Sequence, residues 1–437
     1  MKKKITLSEL SIVAILFMMT LVSANLNWGK NYWKSIVVSD GKGYYAYLPA
    51  VFIYHDLNYV FFTKIEKVDY FDKNLYFDYR YRSNGRVFNK FFCGTALAEL
   101  PFFLAAHTLS YFIDFQTDGY SKLYCIFINL AALFYLFIGL VFLNSALREY
   151  HIEEWVRSLV LFAAVFGTNL FYYTVREPGM SHVYSFAFIS MFFCMAKQYF
   201  SMPQRRYIPI LALVLGMIFL IRPINLLVIF ILPFAAGNYN TLKKGLIALV
   251  REPWFLALGI LLFFALISLQ FIIYRISTGN FLVDAYPGEA FFLLHPHFSD
   301  ILFSYRKGLF LYTPLYLLSL SGGLYLWKTS RFGFYSLFGF LSLITYIFSS
   351  WWCWYYGGSF SSRVYVEFIP LFMILLALAL NSVRQKLLKT TFIVLIIMLT
   401  VLCQVQTYQY RYNQIHWSDM TKEKYWDVFL RIDKLIR

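Results

Sequence analysis

Charge is scarce in this sequence. Asp, Glu, Lys and Arg supply 14% of the 437 residues, against roughly 25% in an ordinary soluble domain. Water on all sides is therefore excluded as the solvent of this chain. Cysteine is sparse too, and the five (Cys93, Cys125, Cys194, Cys353, Cys403) are odd in number, scattered and mostly set in apolar stretches. With no CxxC pair among them, neither a zinc site nor a disulfide framework is indicated. The marks of nucleotide-using enzymes are missing, since no GxxxxGK[ST] loop and no DxD occurs. One GxGxxA match, Gly41–Ala46, follows an apolar run rather than a strand and lacks the βαβ setting that gives the pattern meaning. No internal repeat and no low-complexity linker interrupts the chain, which reads as one membrane domain.

What is abundant is apolar and aromatic: 60% of residues are hydrophobic and 22% are Phe, Trp or Tyr. Apolar runs long enough to cross roughly 30 Å of hydrocarbon recur along the chain. The fold class is an all-α polytopic membrane protein. The net charge of +16 does not point to nucleic acid, because much of the excess sits in short clusters between apolar runs, where it orients a protein in its bilayer.

Eleven spans are expected, at about 8–26, 121–146, 157–175, 180–199, 207–221, 223–237, 254–274, 309–327, 333–350, 364–381 and 391–409. Lys2, Lys3 and Lys4, an apolar core and "LVSAN" resemble a secretory signal. The run from Leu10 to about Leu26 favours a retained first span instead, and both readings put Asp40 on the far side of the membrane. With the N-terminus cytoplasmic, the inner turns carry Arg148 and Arg157, Lys197, Arg205 and Arg206, Lys243, Lys244 and Arg251, Lys328 and Arg331, and Arg384, Lys386 and Lys389. Each is basic, as the positive-inside bias requires. That parity holds only if Phe91–Ile113 is not a span. Glu99, Pro101 and His107 within it are costly at mid-bilayer, so it is read as an interfacial helix on the outer side. The expected domain is then 1–409, with a first outer loop of about 27–120 whose Lys64–Arg86 stretch is wet, followed by an outer tail at 410–437. Further outer loops lie at about 276–308 and at Trp351–Arg363.

Candidate chemistry gathers on that outer face. In "VVSDGKGYYAYLPA" (Val37–Ala50) a lone Asp40 stands beside glycines that leave the backbone free to turn. A carboxylate there can act as general base for an attacking hydroxyl; it can equally be a solvated loop residue or the N-cap of the tyrosine-rich segment containing Tyr44. Cations able to hold a phosphate are Lys90, Arg222 in "IRPIN", Arg306, Lys307 and Arg363. Each has the alternative of a headgroup contact, and Arg363 has Glu367 four residues on as a helical partner. Glu289 and Asp284, near His295 and His297, leave a divalent metal possible, without diagnostic ligand spacing. His182 tops the fourth span, and Trp351–Tyr356 reads as an aromatic belt or a sugar-stacking wall.

The stretches "SDGKGYYAYLP", "NKFFCGTALAELPF", "GTNLFYYTVREPGMSHVYSF", "LIRPIN", "LFSYRKGLFLYTP" and "YYGGSFSSR" run from Ser39 to Arg363. With the long first outer loop they resemble a bacterial subgroup of the GT-C superfamily of membrane glycosyltransferases, which includes dolichyl-phosphate-mannose protein mannosyltransferases and the aminoarabinose transferases of lipid A. The resemblance implies a polyprenyl-phosphate sugar donor, a glycan, lipid or protein acceptor, and inverting transfer on the outer face of a bacterial inner membrane. It maps the base onto Asp40, although many relatives carry two adjacent acids where this chain has Asp40–Gly41. It maps a phosphate-binding lysine onto Lys90, followed here by Phe91 and Phe92 instead of two prolines. The rival readings are a transporter or lipid flippase and a noncatalytic envelope-assembly scaffold. A transporter is disfavoured by the absence of repeats and by ionisable groups gathered at one face rather than the midplane.

Overall fold

The computed structural model describes residues 5–83, 85–431 and 433; the Lys2–Lys4 cluster and the last residues of the tail lie outside them. Six helices are long and apolar enough to cross a bilayer: Leu7–Asn27, Lys122–Glu149, Pro253–Thr278, Arg331–Ser349, Arg363–Ser382 and Lys386–Arg411. The chain is an integral membrane protein. The first helix opens on a reciprocal cap: the Glu9 amide donates to Thr6 Oγ1 at 3.4 Å and the Thr6 amide donates to Glu9 Oε2 at 2.9 Å.

The other five expected spans take shorter, broken or more polar forms. The 157–175 stretch divides into Glu154–Phe166 and Leu170–Val175, with the Thr168 hydroxyl accepting from the Leu170 amide across the break. The 309–327 stretch is three pieces, Leu309–Tyr312, Leu315–Ser319 and Gly322–Thr329, the first interruption falling at Pro314, whose nitrogen has no hydrogen to continue a helix. Tyr207–Ile221 has 15 residues, about 22 Å of rise, and Pro223 starts a tight 3₁₀ run to Ile231 before Leu232–Ala236. Ser181–Ser201 has the length but carries Ser181, His182, Ser185 and Ser190 inward. A hydropathy count misses such breaks because they come from single capping residues within apolar stretches.

Gly94–Phe112, the expected interfacial helix, packs along Lys122–Glu149 and the end of Tyr207–Ile221. Glu99 is fully buried and accepts from the Tyr184 hydroxyl at 2.9 Å, while Tyr111 and Phe112 are exposed. Protein therefore shelters the costly carboxyl. The stretch between the Asp40–Tyr45 and Gly94–Phe112 helices contains the only two strands among the described residues, an antiparallel hairpin of Arg80–Ser83 and Arg86–Asn89 in register Tyr81↔Phe88. The Asn89 amide donates to the Gly43 carbonyl at 2.7 Å and so fixes the hairpin against the short Asp40–Tyr45 helix.

The glycines beside Asp40 have a different reason from the one expected. Neither Gly41 nor Gly43 is left-handed; both sit in that helix. A Cβ on Gly43 would lie 2.1 Å from the Phe91 ring, and one on Gly41 3.2 Å from the Gly179 backbone. Close approach, not turning, requires them.

Candidate active site

Asp40 and Arg363 meet across the chain. Arg363 Nη2 donates to Asp40 Oδ2 at 2.9 Å, with both side chains largely buried. Each is delivered from a strained segment: Ser39, just before Asp40, has φ 51°, and Tyr356 and Ser361, in the loop before Arg363, have φ 54° and 59°. Left-handed backbone at non-glycine residues costs about 1–3 kcal/mol each and clusters where a site demands it.

Glu367 does not pair with Arg363, contrary to the helical spacing. Residues Arg363–Phe368 form a 3₁₀ turn, and at three residues per turn positions four apart lie about 120° away from each other. Glu367 turns instead to Arg222, whose Nη1 donates to Oε1 at 2.6 Å, and to His182 Nδ1 at 3.2 Å. Glu367 is 0% exposed and Arg222 18%. His182 also packs on the Tyr173 ring and has its Nδ1 3.3 Å from Arg222 Nη1.

Tyr44, one turn after Asp40 on the same helix face, opens onto a cavity of about 600 Å³. Its lining includes Tyr44, Phe91, Phe92, Arg222, Asp284, Tyr286, Glu289 and Trp351. A second, almost wholly apolar groove of about 740 Å³ lies between Tyr207–Ile221, Pro223–Phe230 and the Pro253–Thr278 helix. The two share Pro223 and Ile224 as lining residues. Lys90 stands beside the cavity with its Nζ 5.1–5.5 Å from the ring centres of Tyr81, Phe91 and Tyr286, and it forms no ion pair among the described residues.

Of the expected site residues, the structure brings Asp40, Tyr44, Arg222, Arg363, His182, Lys90 and Glu289 into this region. Arg306 pairs outside this region, and Lys307 lies at its edge, close enough to Glu177 and Arg363 to feel their charge. Arg306 donates to Asp419 at 2.9 Å and lies over the Tyr355 ring. Lys307, 2% exposed, donates to the Ser359 carbonyl; burial pulls its amine down to about 7, against the favourable pull of Glu177. For a metal, no three His, Cys, Asp or Glu side chains converge among the described residues. Glu289 accepts from Trp352 at 2.9 Å and His297 pairs with Asp300.

Glu177 is the residue that sequence reasoning passed over. It lies in "REPG" just before the Ser181–Ser201 helix and accepts from the Tyr172 hydroxyl at 3.1 Å. Burial raises its carboxyl to about 7, Arg363 and Tyr172 opposing and Asp40 adding to the rise. A carboxylate beside Pro and Gly in an outer turn of a chain so poor in acids was the available signal.

No family model and no curated protein matches the chain. Among solved structures it is similar to the archaeal oligosaccharyltransferase AglB from Archaeoglobus fulgidus in complex with an inhibitory peptide and a dolichol-phosphate, at 13% identity and TM-score 0.46, covering 95% of this chain and 57% of that one. The apo form of the A. fulgidus oligosaccharyltransferase gives 14% identity, TM-score 0.44 and the same coverages. This chain spans little more than half the length of these neighbours, and with TM-scores under 0.5 the activity is read from the site.

Proposed function

We propose that this chain is a membrane glycosyltransferase that moves a sugar from a polyprenyl-phosphate donor to an envelope acceptor on the outer face of a bacterial inner membrane. The observation that carries the reading is the adjacency of two spaces that share part of one wall. An apolar groove between helices and an aromatic cavity that carries a few charged and polar groups meet at Pro223 and Ile224, beside the Asp40–Arg363 pair. A lipid tail fits the first and a phosphosugar the second. In the proposed step the acceptor oxygen attacks the anomeric carbon, its proton passes to Asp40, and the bond from that carbon to the phosphate oxygen breaks with inversion. The departing polyprenyl phosphate keeps the electron pair. Arg222 and Lys90 stabilise its growing charge, and the groove orients the donor for attack. Arg363 holds one oxygen of Asp40 and so aims the other.

The test compares envelope glycans by mass spectrometry in cells with the native chain, with none, and with Asp40→Asn at equal membrane abundance. The deletion loses one sugar and Asp40→Asn loses the same sugar, its rate lower by about 10²–10⁴-fold, the usual worth of a general base. Full restoration by Asp40→Asn would remove Asp40 from the chemistry.

A further inference from the structure

Two carboxylates in the cavity have no task in the step above. Asp284 and Glu289 both line it, and neither forms an ion pair among the described residues. Glu289 is oriented: Trp352 Nε1 holds its Oε2 at 2.9 Å, leaving Oε1 for another donor. The wall that carries them is built rather than loose. The Phe292 amide donates to the Ser350 carbonyl at 2.6 Å, the Trp352 amide to the Ala290 carbonyl at 3.0 Å, and the His297 amide to the Ser349 carbonyl at 2.9 Å. These bonds stitch the Asp284–His297 loop onto the end of the Arg331–Ser349 helix. Trp351 packs edge-on to Tyr286 and tilts against Phe291, and all three rings line the cavity. Burial pushes the Tyr286 phenol up, and it lies close enough to Asp40 to feel that charge.

We infer that this wall is the recognition subsite for the transferred sugar, that Asp284 and Glu289 accept hydrogen bonds from its hydroxyls while the Trp351–Tyr286–Phe291 cluster supports its apolar face, and that the subsite selects a neutral, hydroxyl-rich sugar over one bearing a carboxylate. The inference rests on the donor reading proposed above. The chemistry is specific. An ionised carboxylate only accepts hydrogen bonds, so it matches a ring of hydroxyl donors and repels a uronate. The cavity volume lies within the roughly 300–1,000 Å³ of small-molecule sites, enough for one phosphosugar and part of an acceptor.

Binding to the full-length chain in lipid nanodiscs separates this inference from the donor reading. The probes are undecaprenyl phosphate, a set of undecaprenyl-phosphate hexoses including glucose, and undecaprenyl-phosphate glucuronate. The native chain is expected to bind at least one neutral sugar lipid about tenfold tighter than bare undecaprenyl phosphate, the scale of hydrogen bonds to charged groups, and to bind the glucuronyl lipid more weakly than the glucosyl one. In the isosteric double variant Asp284→Asn, Glu289→Gln the preference for glucosyl over glucuronyl lipid falls about tenfold while bare-lipid binding stays at the native level. Trp351→Ala weakens all the sugar lipids together. An unchanged preference in the double variant, with normal bare-lipid binding, overturns the subsite and leaves the donor reading standing. A native chain that binds bare lipid but gains nothing from any sugar does the same. Failure to bind any of the probes overturns the donor reading and the subsite with it.

Discussion

Replacing Glu367 by glutamine should cost more stability than any other single-charge change at this site. The side chain is 0% exposed and holds Arg222 at 2.6 Å and His182 at 3.2 Å. Glutamine keeps the shape and one accepting oxygen but removes the charge, leaving a mostly buried guanidinium uncompensated. Breaking a buried pair from one side costs about 3–5 kcal/mol; because Arg222 retains 18% exposure, water can relieve part of this, and about 3 kcal/mol is the expected loss. Arg222→Met should destabilise too, since it strands Glu367, whose Oε2 already has no hydrogen-bond partner. Removing both charges strands neither, so the double variant Arg222→Met, Glu367→Leu should be more stable than the sum of the singles by at least about 2 kcal/mol, within the range found for residues in contact. Unfolding can be followed in mixed micelles by a thiol dye that reacts with the buried Cys93, Cys125, Cys194 and Cys403 as they become exposed. If Glu367→Gln stays within about 0.5 kcal/mol of the native chain, the level of an ordinary surface change, Arg222 is not held by this pair.

Gly94→Ala would put a Cβ 2.2 Å from the Leu220 carbonyl carbon and 2.3 Å from the Ile221 nitrogen, backbone atoms with nowhere to go, so a loss of about 3 kcal/mol is expected in the same assay. Gly339→Ala, with nothing within 4 Å, should instead gain up to about 1 kcal/mol through helix propensity. Glu177 makes stability pH-dependent: with its folded carboxyl near 7 and its unfolded value near about 4.3, the folded state binds the proton more tightly. Stability should therefore fall as pH rises between those values, and Glu177→Gln should flatten that part of the profile. Asp419→Asn removes the Arg306 partner at an exposed site and should change stability by less than about 1 kcal/mol.

The membrane class and part of the charged cluster were legible because both depend on residue type and coarse order. Asp40, Arg222 and Arg363 stand out as lone charges at the ends of apolar runs, and the structure brings them together. Partner choice was not legible. Pairing Arg363 with Glu367 assumed α-helical spacing, and one 3₁₀ turn sends each to a different partner. Arg306 and Lys307 looked free because their partners, Asp419 and the Ser359 carbonyl, lie far along the chain or in its backbone. The glycines beside Asp40 were visible as glycines, but what they accommodate, Phe91 and the backbone at Gly179, is a tertiary fact. Where one proline or a Gly-Thr step interrupts an apolar stretch, the helix breaks there, a detail that a hydropathy pattern does not carry.

The Asp40–Arg363 contact joins residues 323 positions apart, and that separation has a biosynthetic consequence. Asp40 is made early in translation, while its partner arrives only when more than four-fifths of the polypeptide has been made. Until then the Asp40 carboxylate lacks the guanidinium that holds it, and a ribosome stalled before the Arg363–Ser382 helix leaves that carboxylate without this partner. The pair therefore forms late, after every helix that precedes Arg363 has been made.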